Sequence, residues 1–293
     1  MEGHLVTAPR IDSHMHLFAP SGERYPRGIH ALYPRERSAL VEDYLQTMDD
    51  NEIAHSVIVS LDEHDEYTRE VVKAYPDRFS AVAVMNPAHP DPVADLKSRV
   101  QAMPIIGYRI WELGDCEVPV RDLRFFPLLE EMSDRGIVAW FYSSPDQMRI
   151  LPRVLEQLPD LKVVLNHLGF CQTEILMDEW ARPRISTEIP PGTLPQVLSM
   201  ASYPQVAVHF SGHYAFSQDP FPYWDLQGIS VDLLSAFGAD RLLWASDWPW
   251  IAELPGYAAL GDIVELHLPS LSEAERGLVL GGNAARILGI EGV

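Results

Sequence analysis

Two histidines one residue apart, His14 and His16 in the run Ile11-Asp12-Ser13-His14-Met15-His16, are by type and spacing the residues of this chain best suited to chemistry. Side chains two apart on a strand project to the same side, so a strand here turns both imidazoles to one face. Such a pair can hold a divalent metal or polarise a carbonyl. Further candidates follow other apolar runs: His167 in Asn166-His167-Leu168-Gly169, and Asp247 in Ala245-Ser246-Asp247-Trp248-Pro249. Each also has a plainer reading. His167 suits a cap or a loop hydrogen bond, and Asp247 suits a helix N-cap ahead of Pro249. Arg109, inside an apolar run, is either one half of a buried ion pair or a fork for a substrate carboxylate or carbonyl.

These groups meet only in a fold whose strand ends converge. Short apolar runs recur at 10–16, 55–61, 79–86, 105–111, 137–143, 161–167, 205–212 and 241–247. Between them lie segments with apolar residues at three- and four-residue spacing, at 38–53, 67–75, 92–103, 122–135, 146–158, 193–201 and 224–237, with two more in 256–290. The runs alternate only weakly, as parallel strands covered on both faces do. Eight strand-helix units predict an α/β fold, a single-domain (β/α)8 TIM barrel over residues 1–293. A doubly wound sheet is the alternative that periodicity alone leaves open.

In such a barrel the strand C-termini share one mouth, and the proline-dotted segment 19–37 and the segment 170–191 are long enough to wall it. Trp111, Trp140, Tyr142, Trp248 and Trp250 stand at or beyond strand ends, as an aromatic wall for a ring-shaped substrate or as core. His209 shares strand parity with Ser211 and reads as a structural hydrogen-bonding group one layer deeper. His213 and Tyr214, just past that strand, are substrate contacts or ordinary loop residues. Besides Arg109, only the loop residues Arg24, Arg27, Arg35, Arg37, Arg182 and Arg184 offer positive charge near the mouth. A neutral or monoanionic small molecule is the expected partner, and a homo-oligomer is compatible with the chain.

Forty-two acidic against 22 basic side chains give a formal charge of −20, which opposes nucleic acid and anionic membrane surfaces. Cys116 and Cys171 alone cannot form a disulfide framework or a cysteine metal cage, which suits a cytoplasmic location. Residues 1–10 lack the apolar core of a signal peptide, and no uncharged run approaches the roughly 20 residues a membrane span needs. A soluble protein is expected.

The motifs quoted above, with the tail Gly282-Asn283-Ala284-Ala285-Arg286, resemble the amidohydrolase-2 group of the amidohydrolase superfamily over nearly the whole chain. Gly107-Tyr108-Arg109 and Ser211-Gly212 look like its branch of small lactone hydrolases, which includes 2-pyrone-4,6-dicarboxylate lactonase. The resemblance implies a barrel hydrolase, or in a sister branch a decarboxylase, acting at the strand C-termini. It departs from the metal-dependent members at the fifth strand. Their further histidine is absent from Val138-Ala139-Trp140-Phe141-Tyr142-Ser143-Ser144, and Arg109 stands where a bridging lysine would make a two-metal site. One zinc on His14, His16 and Asp247, with His167 nearby, stays open beside a metal-free site.

The expected chemistry is opening of a lactone or related cyclic ester. Asp247 serves as general base on a water, while His14, His16 and His167 polarise the carbonyl, each contributing about 2 to 4 kcal/mol. Arg109, Trp111, Tyr142, His213, Tyr214 and Trp248 are the expected substrate contacts. The alternative is metal-dependent decarboxylation of an aromatic or unsaturated acid.

Overall fold

The computed structural model describes residues 9–292, so the reading of residues 1–8 lies outside the described residues. Eight parallel strands run in the order β1 (Arg10–Met15), β2 (Ile53–Val59), β3 (Phe79–Val84), β4 (Ile105–Ile110), β5 (Val138–Phe141), β6 (Val163–Leu165), β9 (Val206–Phe210) and β10 (Leu242–Trp244). All eight expected strands are present, in the expected (β/α)8 arrangement. Each ends one to three residues before its expected C-terminus, so the residues of chemical interest lie just beyond the ladders. The backbone departs sharply there, with φ at +49° for His167 and +60° for Asp247. Non-glycine residues seldom adopt such values, and they cluster at functional sites.

Helices α1 (Val41–Asp50), α2 (Glu66–Ala74), α3 (Pro92–Ala102), α4 (Phe126–Arg135), α5 (Pro145–Gln157), α6 (Leu194–Ser199), α7 (His213–Phe216) and α8 (Gln227–Phe237) cover the barrel. The sequence reading missed the four-residue α7 and, within 170–191, the antiparallel hairpin of β7 (Ile175–Met177) and β8 (Pro183–Ile185). The tail holds four short helices rather than two: α9 (Tyr257–Gly261), α10 (Ile263–His267), α11 (Glu273–Gly277) and α12 (Asn283–Leu288). Among the described residues no helix is long and apolar enough to cross a membrane.

Inside the barrel, Ile11, Val57, Val59, Val82, Val84, Val138, Trp140, Val164 and Leu243 form one buried cluster, closed by Ala284 and Leu288 of α12. The tail motif is architectural. The Asn283 amide donates to the carbonyls of Ala239 and Leu242, and a Cβ on Gly281 would lie 1.8 Å from the Pro9 carbonyl oxygen.

The seam between β1 and β10 positions the chemistry. The register of β1 slips between Asp12 and Met15. Ile11 faces the interior and Asp12 the helical layer, and the slip returns His14 to the interior. The Asp247 N–H donates to the His14 carbonyl at 2.9 Å and the His16 N–H to the Trp248 carbonyl at 2.7 Å, so the candidate residues themselves close the barrel. Below them the buried Asp12 carboxylate accepts from the Ser246 N–H at 2.9 Å, the Ser246 hydroxyl, and the hydroxyls of Tyr44 (2.7 Å) and Tyr257 (2.8 Å).

Candidate active site

A cavity of about 290 Å³ opens at the strand C-termini, with His16, Arg109, Trp111, Tyr142, His167, Tyr214, Asp247 and Trp250 in its wall. Both long segments contribute as expected: His30, Leu32 and Tyr33 from 19–37, and Gln172, Ile175, Pro183 and Ile185 from 170–191. His14 lies beneath the floor, fully buried, its ring 5.0 Å from His167, 5.1 Å from His16 and 5.4 Å from His209.

Asp247 is the hub. Its Oδ2 accepts from the Tyr214 hydroxyl at 2.7 Å. Its Oδ1 lies 3.3 Å from His16 Nε2 and 3.7 Å from His14 Nε2, and it is buried without a hydrogen-bond partner. Buried acceptors are nearly always satisfied, so an open one facing a cavity marks a place for a bound molecule. Burial favours the neutral acid, but His167 and His16, when they carry charge, and the Tyr214 hydroxyl outweigh it and hold Asp247 at about 2. His167 itself is brought down to about 4 by burial. Above that pH its charge is withdrawn, and the Tyr214 hydroxyl remains to keep the carboxylate ionised. Burial likewise pushes His14 and His209 well below the usual histidine range, with the His167 ring adding to the effect in both.

The supporting contacts explain the short motifs. Ser211 Oγ meets His167 Nδ1 at 3.1 Å, and a Cβ on Gly212 would come within 2.8 Å of the His167 side chain, so Ser211-Gly212 both holds and admits that ring. A Cβ on Gly107 would lie 2.6 Å from the Trp140 indole, so this glycine admits Trp140 to the barrel interior. There Trp140 Nε1 donates to His14 Nδ1 at 3.2 Å. Trp140 is therefore neither cavity wall nor inert packing. His209 has the structural role expected, with Nδ1 3.3 Å from Asn166 Oδ1.

Arg109 forms none of the ion pairs found among the described residues. Its guanidinium lies over the Tyr142 ring at 5.3 Å and faces the cavity, which favours the substrate fork over the buried ion pair. Burial lowers its pKa while Tyr142 and Asp247 oppose that. The loop arginines that bear on the mouth are committed elsewhere. Arg27 donates to the carbonyls of Ala19, Tyr33 and Arg37, Arg37 to those of Leu32 and Ala181, and Arg184 to those of Tyr214 and Ser217. They staple the loops, leaving Arg109 as the arginine in the cavity wall.

Two expected contacts are corrected. His213 does not reach the cavity: after Gly212 the chain enters α7, which turns Tyr214 towards Asp247 and buries His213 against Phe210 and His267, with ring centroids at 4.7 and 5.2 Å. Trp248 also points away, packing on Tyr44 at 4.9 Å, and Trp250 takes its place in the wall. The expected metal set changes by one member. His14, His167 and Asp247 each bring a donor atom within 4.8 Å of the others, and His16 is not part of that convergence. Position alone suits a cation. The protons do not: an indole N–H only donates, so His14 Nδ1 carries the lone pair and Nε2 the ring proton. As built, the residues do not fit a zinc ligated through His14.

The amidohydrolase family profile matches residues 11–290. The chain belongs to the amidohydrolase family. This amidohydrolase is an enzyme by that membership. Its fold is shared with a protein from Acinetobacter baumannii described as a probable 2-pyrone-4,6-dicarboxylic acid hydrolase, at TM-score 0.73 and 20% identity over 96% of this chain and 99% of that one. An amidohydrolase from Burkholderia multivorans with bound zinc superimposes at TM-score 0.72, with 22% identity over 96% and 99%. 2,6-Dihydroxybenzoate decarboxylase from Rhizobium follows at TM-score 0.64, with 17% identity over 97% and 100%. At these identities the likeness establishes the fold alone. No curated protein matches the chain in sequence.

Proposed function

We propose that this amidohydrolase opens a small lactone or related cyclic ester, neutral or carrying one carboxylate. The observation that carries this reading is the open, ionised Oδ1 of Asp247 at the cavity floor, with Arg109 in the same wall. A water donating to Oδ1 is aimed at a carbonyl in the cavity. As it attacks, its proton passes to Asp247 and negative charge moves to the carbonyl oxygen, where Arg109 and His167 stabilise it. The ring C–O bond then breaks and the Asp247 proton transfers to the departing alkoxide, giving a hydroxy acid. Tyr142, Trp111 and Trp250 supply flat apolar walls for a ring. Arg109 also suits a substrate carboxylate, since desolvation strengthens its pairing with an anion.

Proton release in a pH-stat tests the reading across aldonolactones, muconolactones and pyrone lactones. Steady release with at least one member, abolished in Asp247→Asn, is expected. No turnover by the intact folded protein would overturn it. A second reading, zinc-dependent decarboxylation of an aromatic or enoic acid, draws on the convergence of His14, His167 and Asp247 and requires His14 to give up its bond to Trp140. Chelator-sensitive carbon dioxide release would favour it.

A further inference from the structure

The two histidines of the pair are not chemically equivalent. His14 accepts at Nδ1 from the Trp140 indole, a bond buried in the barrel interior. Indole N–H is a donor and never an acceptor, so the single proton of the His14 ring resides on Nε2. That nitrogen has no partner in the protein and points at the equally open Asp247 Oδ1, 3.7 Å away. For His16 the logic runs the other way. Its Nδ1 lies 2.7 Å from the Val59 carbonyl oxygen, which only accepts, so Nδ1 holds the proton. Its Nε2 then turns a lone pair towards Asp247 Oδ1 at 3.3 Å. Two acceptors side by side in the cavity wall suit a water seated above them that donates one proton to each.

We propose that Trp140 is a positioning residue for the reaction: it fixes His14 as an Nε2–H donor, so that the pair acts as unlike halves, His14 donating and His16 accepting. His16 and Asp247 together orient the attacking water, and His14 steadies the Asp247 oxygen that receives the water's proton. The same bond bars His14 from metal ligation, because a metal needs the Nε2 lone pair and taking it would strand the buried indole N–H. Gly107 belongs to the device, since only a residue without Cβ leaves room for the indole beside β4.

Neutron crystallography of the unmodified, deuterium-exchanged protein near pH 7.5 tests the assignment directly. Density is expected on Nε2 alone of His14 and on Nδ1 alone of His16. Density on His14 Nδ1, or on both nitrogens of His16, would overturn it. Calorimetric titration with zinc provides the second arm. Trp140→Phe frees His14 Nδ1 and is expected to tighten zinc binding at least about ten-fold, the scale on which groups bonded to ligating histidines act. It also lowers kcat more than it raises KM. Unchanged zinc affinity in a folded Trp140→Phe protein would count against the proposal, and if that variant does not fold the neutron map decides. The roles given to the attacking water rest on the proposed lactone hydrolysis, whereas the proton assignment and its bar on zinc rest on Trp140 and Val59, so a silent lactone panel overturns the first and leaves the second standing.

Discussion

Asp12 and Asp247 are buried carboxylates on opposite sides of one seam, between the first and last strands of the barrel, and their surroundings differ in almost every respect. Asp12 accepts from the backbone N–H groups of Ser246 and His14 and from three hydroxyls, and it is fully buried. Asp247 has one oxygen fixed by Tyr214 and the other open to the cavity. Burial raises the Asp12 pKa despite its donors, whereas Asp247 is held at about 2. A carboxylate with every lone pair engaged is a clamp; one with a lone pair kept free and ionised is a reagent.

The sharpest way to break this contrast is Asp247→Asn. It keeps the shape but removes the base, so kcat should fall about 1,000-fold, equivalent to about 4 kcal/mol of barrier. Urea unfolding should show a loss of no more than about 2 kcal/mol, because the folded site holds this carboxylate ionised more readily than water does and that contribution goes with the charge. A large loss of stability with modest loss of rate would mean that Asp247 is a second clamp. Asp12→Ala should give the mirror image. Stranding the buried Ser246 N–H and three hydroxyls should cost about 3 kcal/mol of unfolding free energy. The folded fraction should keep far more of its kcat/KM than Asp247→Asn does.

The Asp247 side of this contrast was legible in the sequence and the Asp12 side was not, for physical reasons. The eight strands showed as apolar runs because strands packed on both sides must be apolar along their whole length. Asp247, His167, His14 and Arg109 could be placed because barrel chemistry sits at strand C-termini. Strand ends could not be read to the residue: the chain leaves each ladder through positive-φ turns at His167 and Asp247, which residue type does not announce. Hence His213, Tyr214 and Trp248 were all expected in the wall, while the turns left only Tyr214 of these there and brought Trp250 beside it. The Asp12 clamp depends on hydroxyls more than 30 and 240 residues away in sequence, and the Trp140 contact to His14 spans 126 positions. Side chains that meet only through barrel closure leave no local pattern. The role of Gly107 could be stated only once Trp140 was seen beside it.

Acid offers the finest probe, because the buried histidines of the site and Asp12 beneath it respond with opposite sign. His167 has its folded pKa lowered from 6.5 to about 4, so between those values the unfolded chain binds the extra proton and stability falls as pH falls. From pH 7 to 5 this amounts to about 2 kcal/mol for His167 alone, with His14 and His209 shifted in the same direction and adding to the loss. Asp12, with its folded pKa raised above 3.8, takes up a proton more readily folded than unfolded and so gains stability as pH falls through its raised value. The histidines outnumber it, and urea unfolding at pH 7 and 5 should show a net loss in the unmodified protein. In His167→Gln the loss should shrink by about 2 kcal/mol, while in Asp12→Ala it should not shrink, because a group whose uptake of a proton favours folding is gone. A loss in His167→Gln as large as in the unmodified protein would show that His167 does not govern the acid response.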